Sequence, residues 1–305
     1  ERNPVLMAYG EDEHLMDAVR ANAAAFLNCT TDEMVLTTCT TDGMNRTAQG
    51  LGLAAGDHVL TTDQEHPGGR VCWDYLARKQ GVVIDIVPIA PGEHDSAAIV
   101  DRMERAITSR TRVVSFSHLL SSTGMRLPVA ELCALARAHD CVSVVDGAQA
   151  AGGIAVDVSA LGCDVYATSG HKWLLAPKGT GLLYLRAGLG NRVDPIGLQS
   201  GRAAYTASTG VGNIPGVIGL GSALDYLRAR GVAAIEAHNL ALRARLDAAL
   251  GGVAGIEIVS AREPALASPL LSYRLPPRVK SLELHHRLLR ARLRRRVQVQ
   301  PAECC

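Results

Sequence analysis

The sequence predicts an α/β fold, with a mostly parallel central sheet flanked by helices and a smaller C-terminal α+β region. Two observations carry that expectation. Short runs rich in Val, Ile and Leu occupy residues 57–62, 82–87, 112–116, 141–146 and 163–168, nearly continuous in apolar character, as strands buried on both faces are. Helical stretches at 42–54, 68–80, 96–108 and 128–139 separate them, and strand-helix-strand repetition builds a parallel sheet with helices on its faces. Ligands of such sheets gather at the carboxyl ends of the strands.

Taken in order, Leu15, Met16, Val19, Ala23, Phe26 and Leu27 recur at helical spacing, and Thr30-Thr31-Asp32-Glu33 ends that helix before a short strand at 34–37. The alternating units follow. The strand at 163–168 and the next at 181–185 are separated only by a loop that carries Lys172. From 215 to 249 the apolar positions Val217, Leu220, Leu224, Leu227, Ile235, Leu240, Leu242 and Leu246 describe two helices broken near Gly231. Strands at 256–259 and 270–275, a helix at 282–293 and a final strand at 296–300 complete the reading. Residues 1–225 are expected to form the large domain and 226–305 the small one.

A chain of 305 residues with 48% hydrophobic content can bury a large core. Its 31 Lys and Arg balance 30 Asp and Glu, so it lacks the bulk field of a nucleic-acid or membrane-surface protein. The local cluster Arg287, Arg290, Arg292, Arg294, Arg295 and Arg296 reads as the wet face of an amphipathic helix. Eight cysteines follow no repeated spacing and several sit in apolar runs, which suggests reduced thiols in a cytoplasmic setting and no metal site. No run has the length of a membrane span, and the first residues lack the shape of a signal peptide. The start without methionine and the abrupt Cys304-Cys305 end suggest a trimmed version of a longer protein.

The chemistry concentrates in Thr168-Ser169-Gly170-His171-Lys172-Trp173 and in Asp146-Gly147-Ala148-Gln149 upstream of it. A lysine amine condenses with an aldehyde to a Schiff base, and a carboxylate can keep a pyridine nitrogen protonated, which makes the ring an electron sink. Ser169 and His171 flank Lys172 closely enough to reach a phosphate. Pyridoxal 5′-phosphate asks for all three functions. Gln149 can donate to the phenolic oxygen of the same ring. The hydroxyl-rich strand exit around Thr40 and Thr41 opens a helix, whose free amides and dipole suit a phosphate. His66, in Glu65-His66-Pro67-Gly68, follows another strand on the ligand side and can stack on the ring and assist proton transfer.

These residues together resemble a fold-type-I pyridoxal-phosphate enzyme of the class-V aminotransferase group, over nearly the whole chain. That group includes cysteine desulfurases, C–S lyases and isopenicillin-N-epimerase-like proteins. The resemblance implies that Lys172 is the Schiff-base lysine, that His66 stacks on the ring, and that Asp146 and Gln149 serve the ring nitrogen and phenolate. It assigns the phosphate to Thr40, Thr41, Ser169 and His171, with Lys172, His66 and Asp146 as the catalytic set. It also implies a homodimer with shared active sites, in which Gly210-Val211-Gly212-Asn213 approaches the partner's cofactor.

The chain departs from the pattern at several positions. Cys39 stands where the group often has glycine, and Val211 where it often has threonine, with Thr209 a possible replacement. Ser121 takes the place of an asparagine near the substrate, which leans toward the epimerase-like branch. The arginine that holds the substrate carboxylate has no counterpart, the persulfide cysteine loop is not recognisable, and Cys304 and Cys305 read as structural rather than nucleophilic. C–S cleavage of an amino-acid substrate is the first expectation. An epimerase-like, decarboxylating or transaminating reaction of specialised metabolism is the second, and a pseudoenzyme scaffold that keeps the fold is the alternative of another class.

Overall fold

A computed structural model describes residues 12–189, 192–194 and 213–290. The expectations for the strand at 296–300, for Thr209, Gly210, Val211 and Gly212, for Arg292 and Arg294–296, and for Cys304 and Cys305 lie outside these residues. Helix α1 (Asp12–Leu27) leads into β1 (Met34–Thr37), α2 (Thr40–Gly50), β2 (His58–Thr62), α3 (Pro67–Gln80) and β3 (Val83–Val87). Then come α4 (Ser96–Ala106), β4 (Thr111–Ser117), α5 (Val129–Ala138), β5 (Val142–Asp146), a one-turn α6 (Val158–Leu161), β6 (Val165–Ser169) and β7 (Gly181–Leu185).

These strands form one seven-stranded sheet in the order β1-β7-β6-β5-β4-β2-β3. Every neighbouring pair is parallel except the two made by β7, which runs against β1 and β6. The exits of β1, β2, β4, β5 and β6 therefore open on one edge of the sheet. Thr40, His66, Asp146 and Lys172 each follow or end one of those strands.

Alternation along the strands sends side chains to two cores. Leu36, Leu60, Val114, Phe116, Val145, Tyr166, Leu182 and Tyr184 pack on one face with Leu27, Leu132 and Leu220. Val35, Val59, Val113, Val144, Val165, Leu183 and Leu185 pack on the other with Met44, Cys72, Trp73 and Leu76 of α2 and α3. Each fully buried aliphatic or aromatic side chain is worth about 1.5–3 kcal/mol, so burial on both faces of one sheet is the main stabilising term. No helix among the described residues is long and apolar enough to cross a membrane.

Helices α7 (Ile214–Arg230) and α8 (Val232–Gly251) break at Gly231, whose φ of +78° suits glycine. A two-stranded antiparallel sheet of β8 (Glu257–Ile258) and β9 (Tyr273–Arg274) follows, then α9 (Ser281–Arg290). Ser268 Oγ donates to Gly124 O at 2.5 Å, and Ser260 Oγ donates to Thr123 O, tying this region to the loop after β4. The second helix of the chain begins at Thr40 rather than 42 and ends at Gly50 rather than 54, because Leu51 caps it and Gly52 turns into the left-handed region. That earlier start places Thr40 and Thr41 inside the first turn.

Candidate active site

Asp146 is the last residue of β5 and is buried. Its Oδ1 accepts the Ala148 amide at 2.9 Å. Burial pushes its carboxyl up from the usual carboxylate value, while that amide and the charges of Lys172 and His66 pull the other way. The charges of two residues distant in sequence thus act on Asp146. The second oxygen faces the start of α3: a Cβ built on Gly69 would sit 2.4 Å from Asp146 Oδ2. Only a residue without a side chain lets the helix approach the carboxylate so closely.

His66 is the N-cap of α3, with Pro67 at the first helical position, where its missing amide costs nothing. Its Nδ1 accepts the Gly68 amide at 3.0 Å, which leaves Nε2 to carry the proton in the neutral ring. The ring is exposed at the sheet edge.

Lys172 lies half-buried in the turn after β6. Burial lowers its pKa from the ordinary lysine value, opposed by the charges of Asp146 and Cys39. A lysine so placed keeps more of its amine free for carbonyl attack. The turn is fixed from below. Trp173 Nε1 donates to Gln149 Oε1 at 3.0 Å, and a Cβ on Gly153 would meet the Trp173 ring at 2.9 Å. Gly152, at φ +91°, passes so near the backbone of Trp173 that a Cβ would sit 2.4 Å from its carbonyl oxygen. With its oxygen occupied, Gln149 has its amide N–H groups left to donate. Leu175, three residues beyond Lys172, adopts φ +58° while 63% exposed, an uncommon conformation for a branched side chain, and its amide donates to Lys172 O at 3.1 Å.

Thr40 and Ser169 meet across the sheet edge. The Thr40 amide donates to Ser169 Oγ at 2.9 Å, and the two hydroxyls lie 2.7 Å apart. Both residues are buried. The first amides of α2 have no partner within their own helix, so two hydroxyls and a helix N-terminus converge there. Thr41 borders the start of α3, since a Cβ on Gly68 would lie 2.7 Å from its Oγ1. His171 is exposed; partial burial first, and then the charges of Lys172 and Lys178, lower its pKa and favour the neutral ring. Cys39 has φ −175° and ψ 177°, extended backbone open to any residue, so replacing the group's usual glycine there carries no conformational penalty.

Ser121 is half-buried on the loop after β4. The neighbouring Ser122 Oγ donates to Gln64 Oε1 at 2.6 Å and ties that loop to the His66 turn. The site also contains groups the sequence reading passed over: Gly69, Trp173 and Glu65. Glu65 accepts from Thr62 Oγ1 at 2.7 Å and from Ser117 Oγ at 2.6 Å. An acid wedged between an apolar strand and a Pro-Gly-Gly helix start was the available signal for it. No group of three or more His, Cys, Asp or Glu among the described residues could hold a metal ion.

A sequence scan matches the family described as Aminotransferase class-V over residues 7–275. An isopenicillin N epimerase from Amycolatopsis lactamdurans is 33% identical over 298 residues, covering 90% of this chain and 74% of that protein. A cysteine desulfurase from Salmonella newport is 33% identical over 235 residues, covering 71% of this chain and 57% of the relative. The solved complex of the cystine C–S lyase C-DES with its reaction product cysteine persulfide superposes with a TM-score of 0.82 at 27% identity, over 92% of this chain and 78% of that one. The chain belongs to the class-V aminotransferase family, with the α/β architecture of fold-type-I pyridoxal-phosphate enzymes. Family and fold imply pyridoxal phosphate as cofactor. The donor set fits that group: a lysine whose charge acts on a buried carboxylate, a glycine cradle beside that carboxylate, and hydroxyls at a helix N-terminus.

Proposed function

We propose that this enzyme cleaves a C–S bond in an amino-acid substrate, in the manner of a cysteine desulfurase or a cysteine S-conjugate β-lyase. The observation that carries the reading is buried Asp146 at a strand exit under the charges of Lys172 and His66, in a chain that superposes on a cystine C–S lyase. Residues 1–225 form the cofactor-binding part, with Thr40, Thr41, Ser169 and His171 on the phosphate and Gln149 on the ring phenolate.

When bound, the cofactor withdraws electrons from the substrate Cα through its protonated ring. Asp146 would hold the proton on the ring nitrogen, and His66 would pack against the ring. The Lys172 amine, whose pKa burial lowers from the ordinary lysine value, would take the Cα proton. In the β-lyase reaction the sulfur leaves from Cβ with the electron pair of the C–S bond and takes up one proton; the desulfurase reaction would instead pass it to an acceptor thiol and leave alanine. With one water consumed, β-elimination yields pyruvate, ammonia and the thiol or sulfide. We further infer a homodimer with shared active sites in a reducing cytoplasm. The six cysteines among the described residues are all free thiols, which suits that setting.

A second reading is epimerisation. It is favoured by the length of the match to the epimerase and by Ser121 in the asparagine's place. One assay separates the two. The protein loaded with pyridoxal phosphate is incubated with cysteine and with cysteine S-conjugates, and products are followed by mass spectrometry and chiral chromatography. Thiol or sulfide with pyruvate and ammonia supports cleavage; an inverted Cα with the C–S bond intact overturns it.

A further inference from the structure

Glu65 lies half-buried in the loop between β2 and α3, next to His66 in the chain. Two strands hold it. Thr62 at the end of β2 donates to Oε1 at 2.7 Å, and Ser117 at the end of β4 donates to Oε2 at 2.6 Å. Ser117 is the register partner of Asp146 on the neighbouring strand, so the two carboxyl groups belong to adjacent strand ends. Among the charged groups nearby, Asp146 on β5 opposes the ionisation of Glu65, and Lys172 and His66 act on Asp146 in turn. Asp63, on the same loop, is turned away onto the Ile89 amide at 2.8 Å. Burial, the largest influence, pushes Glu65 up to about 7, against the pull of the Ser117 and Thr62 hydroxyls. The site thus contains a second carboxyl group that the chemistry assigned to Lys172, Asp146 and His66 does not use.

We propose that Glu65 is a positioning residue whose negative charge, held by Thr62 and Ser117, acts together with Asp146 to stabilise the cationic form of the lysine-bound cofactor. This rests on the assignment of Lys172, Asp146 and His66 to pyridoxal phosphate. The charge acts through the buried strand ends, where little water screens it. Thr62 and Ser117 fix the carboxyl group at the strand ends, Ser117 in register with Asp146, while His66 stays at the cap of α3. A cation beside the pair favours ionised Glu65, and ionised Glu65 in return favours the cation.

The test is a pH titration of the visible absorbance of the protein loaded with pyridoxal phosphate. Glu65→Gln removes the charge and keeps the shape, so the midpoint moves toward acid by about one pH unit. Glu65→Asp keeps the charge and moves the midpoint back toward that of the wild type. Thr62→Val removes one donor and leaves Glu65 harder to ionise, giving a smaller shift of the same sign; it decides the matter if Glu65→Gln fails to retain the cofactor. Midpoints of Glu65→Gln and Thr62→Val that coincide with the wild type overturn the proposal while leaving the cofactor assignment standing. A wild type without visible absorbance removes the assignment itself, and the proposal with it.

Discussion

Gly69→Ala puts one methyl group against the carboxylate at the centre of the site. The added Cβ would stand 2.4 Å from Asp146 Oδ2, far inside van der Waals contact, so either α3 or the carboxylate must move. Forcing an extra carbon into a packed site costs about 1–3 kcal/mol. If Asp146 yields, it gives up the 2.9 Å bond from the Ala148 amide, and a hydrogen bond to a charged group is worth about 1.5–3 kcal/mol. Against this, Ala in place of Gly in a helix returns up to about 1 kcal/mol. The net expectation is a loss of about 3 kcal/mol in urea unfolding of the protein without cofactor. In an Asp146→Ala background the clash disappears, and Gly69→Ala becomes neutral or stabilising by up to about 1 kcal/mol. An equal cost in both backgrounds, or none in the wild type, would refute the close approach of α3 to Asp146.

Two further outcomes follow from the same geometry. Burial first, and then the charge of Arg126, hold the His118 imidazole down at about 3, and its Nδ1 lies 2.9 Å from Tyr166 Oη. A folded pKa below the unfolded one gives stability that is complete above about pH 6.5 and is lost as pH falls toward 3, about 5 kcal/mol in all. Glu65 acts with the opposite sign, adding stability as pH falls from about 7 toward its unfolded value near 4.5. Urea titrations across this range should show an acid limb that His118→Asn flattens; an unchanged limb would contradict the buried neutral ring. Ser169→Ala deletes the hydroxyl shared with Thr40, and loss of one such partner should weaken pyridoxal phosphate binding by roughly five- to tenfold, read by equilibrium dialysis. Unchanged affinity would place the phosphate elsewhere.

Much of this architecture is written in local pattern. Val142, Val144 and Val145 are apolar because both faces of β5 are covered, Ser143 between them is satisfied by Asp164, and the run ends at Asp146. Gly231 marks the break between α7 and α8 because its φ is positive. Pairing is another matter. Nothing in Gly181–Leu185 says that β7 inserts antiparallel between β1 and β6, since strand order depends on contacts distant in sequence. The short α6 is also unreadable, for one turn carries no periodicity.

The candidate site divides the same way. Lys172, Asp146, His66, Thr40 and Ser169 announce themselves because each is a polar residue at the exit of an apolar run. Glu65 offers the same positional signal, an acid between an apolar strand and a Pro-Gly-Gly helix start, but not its role, because its partners are Thr62 and Ser117 on another strand and burial is invisible in a turn sequence. The contribution of Trp173 depends on Gln149 and on the glycine pair at 152 and 153 beneath it, contacts that the chain makes only when folded. Ser121 remains a neighbour of this constellation, linked to it through the Ser122 bond to Gln64.

The central claim is that Lys172 carries the cofactor, and one comparison tests it most directly. Wild type, Lys172→Ala and Lys178→Ala are incubated with pyridoxal phosphate, freed of excess, and examined by visible absorbance and by mass spectrometry after borohydride reduction. The account predicts a coloured wild type and Lys178→Ala, each with the reduced cofactor fixed to Lys172 or its peptide, and no fixed cofactor in Lys172→Ala. A wild type that stays colourless, or a Lys172→Ala protein that keeps both the colour and the covalent label, would contradict it.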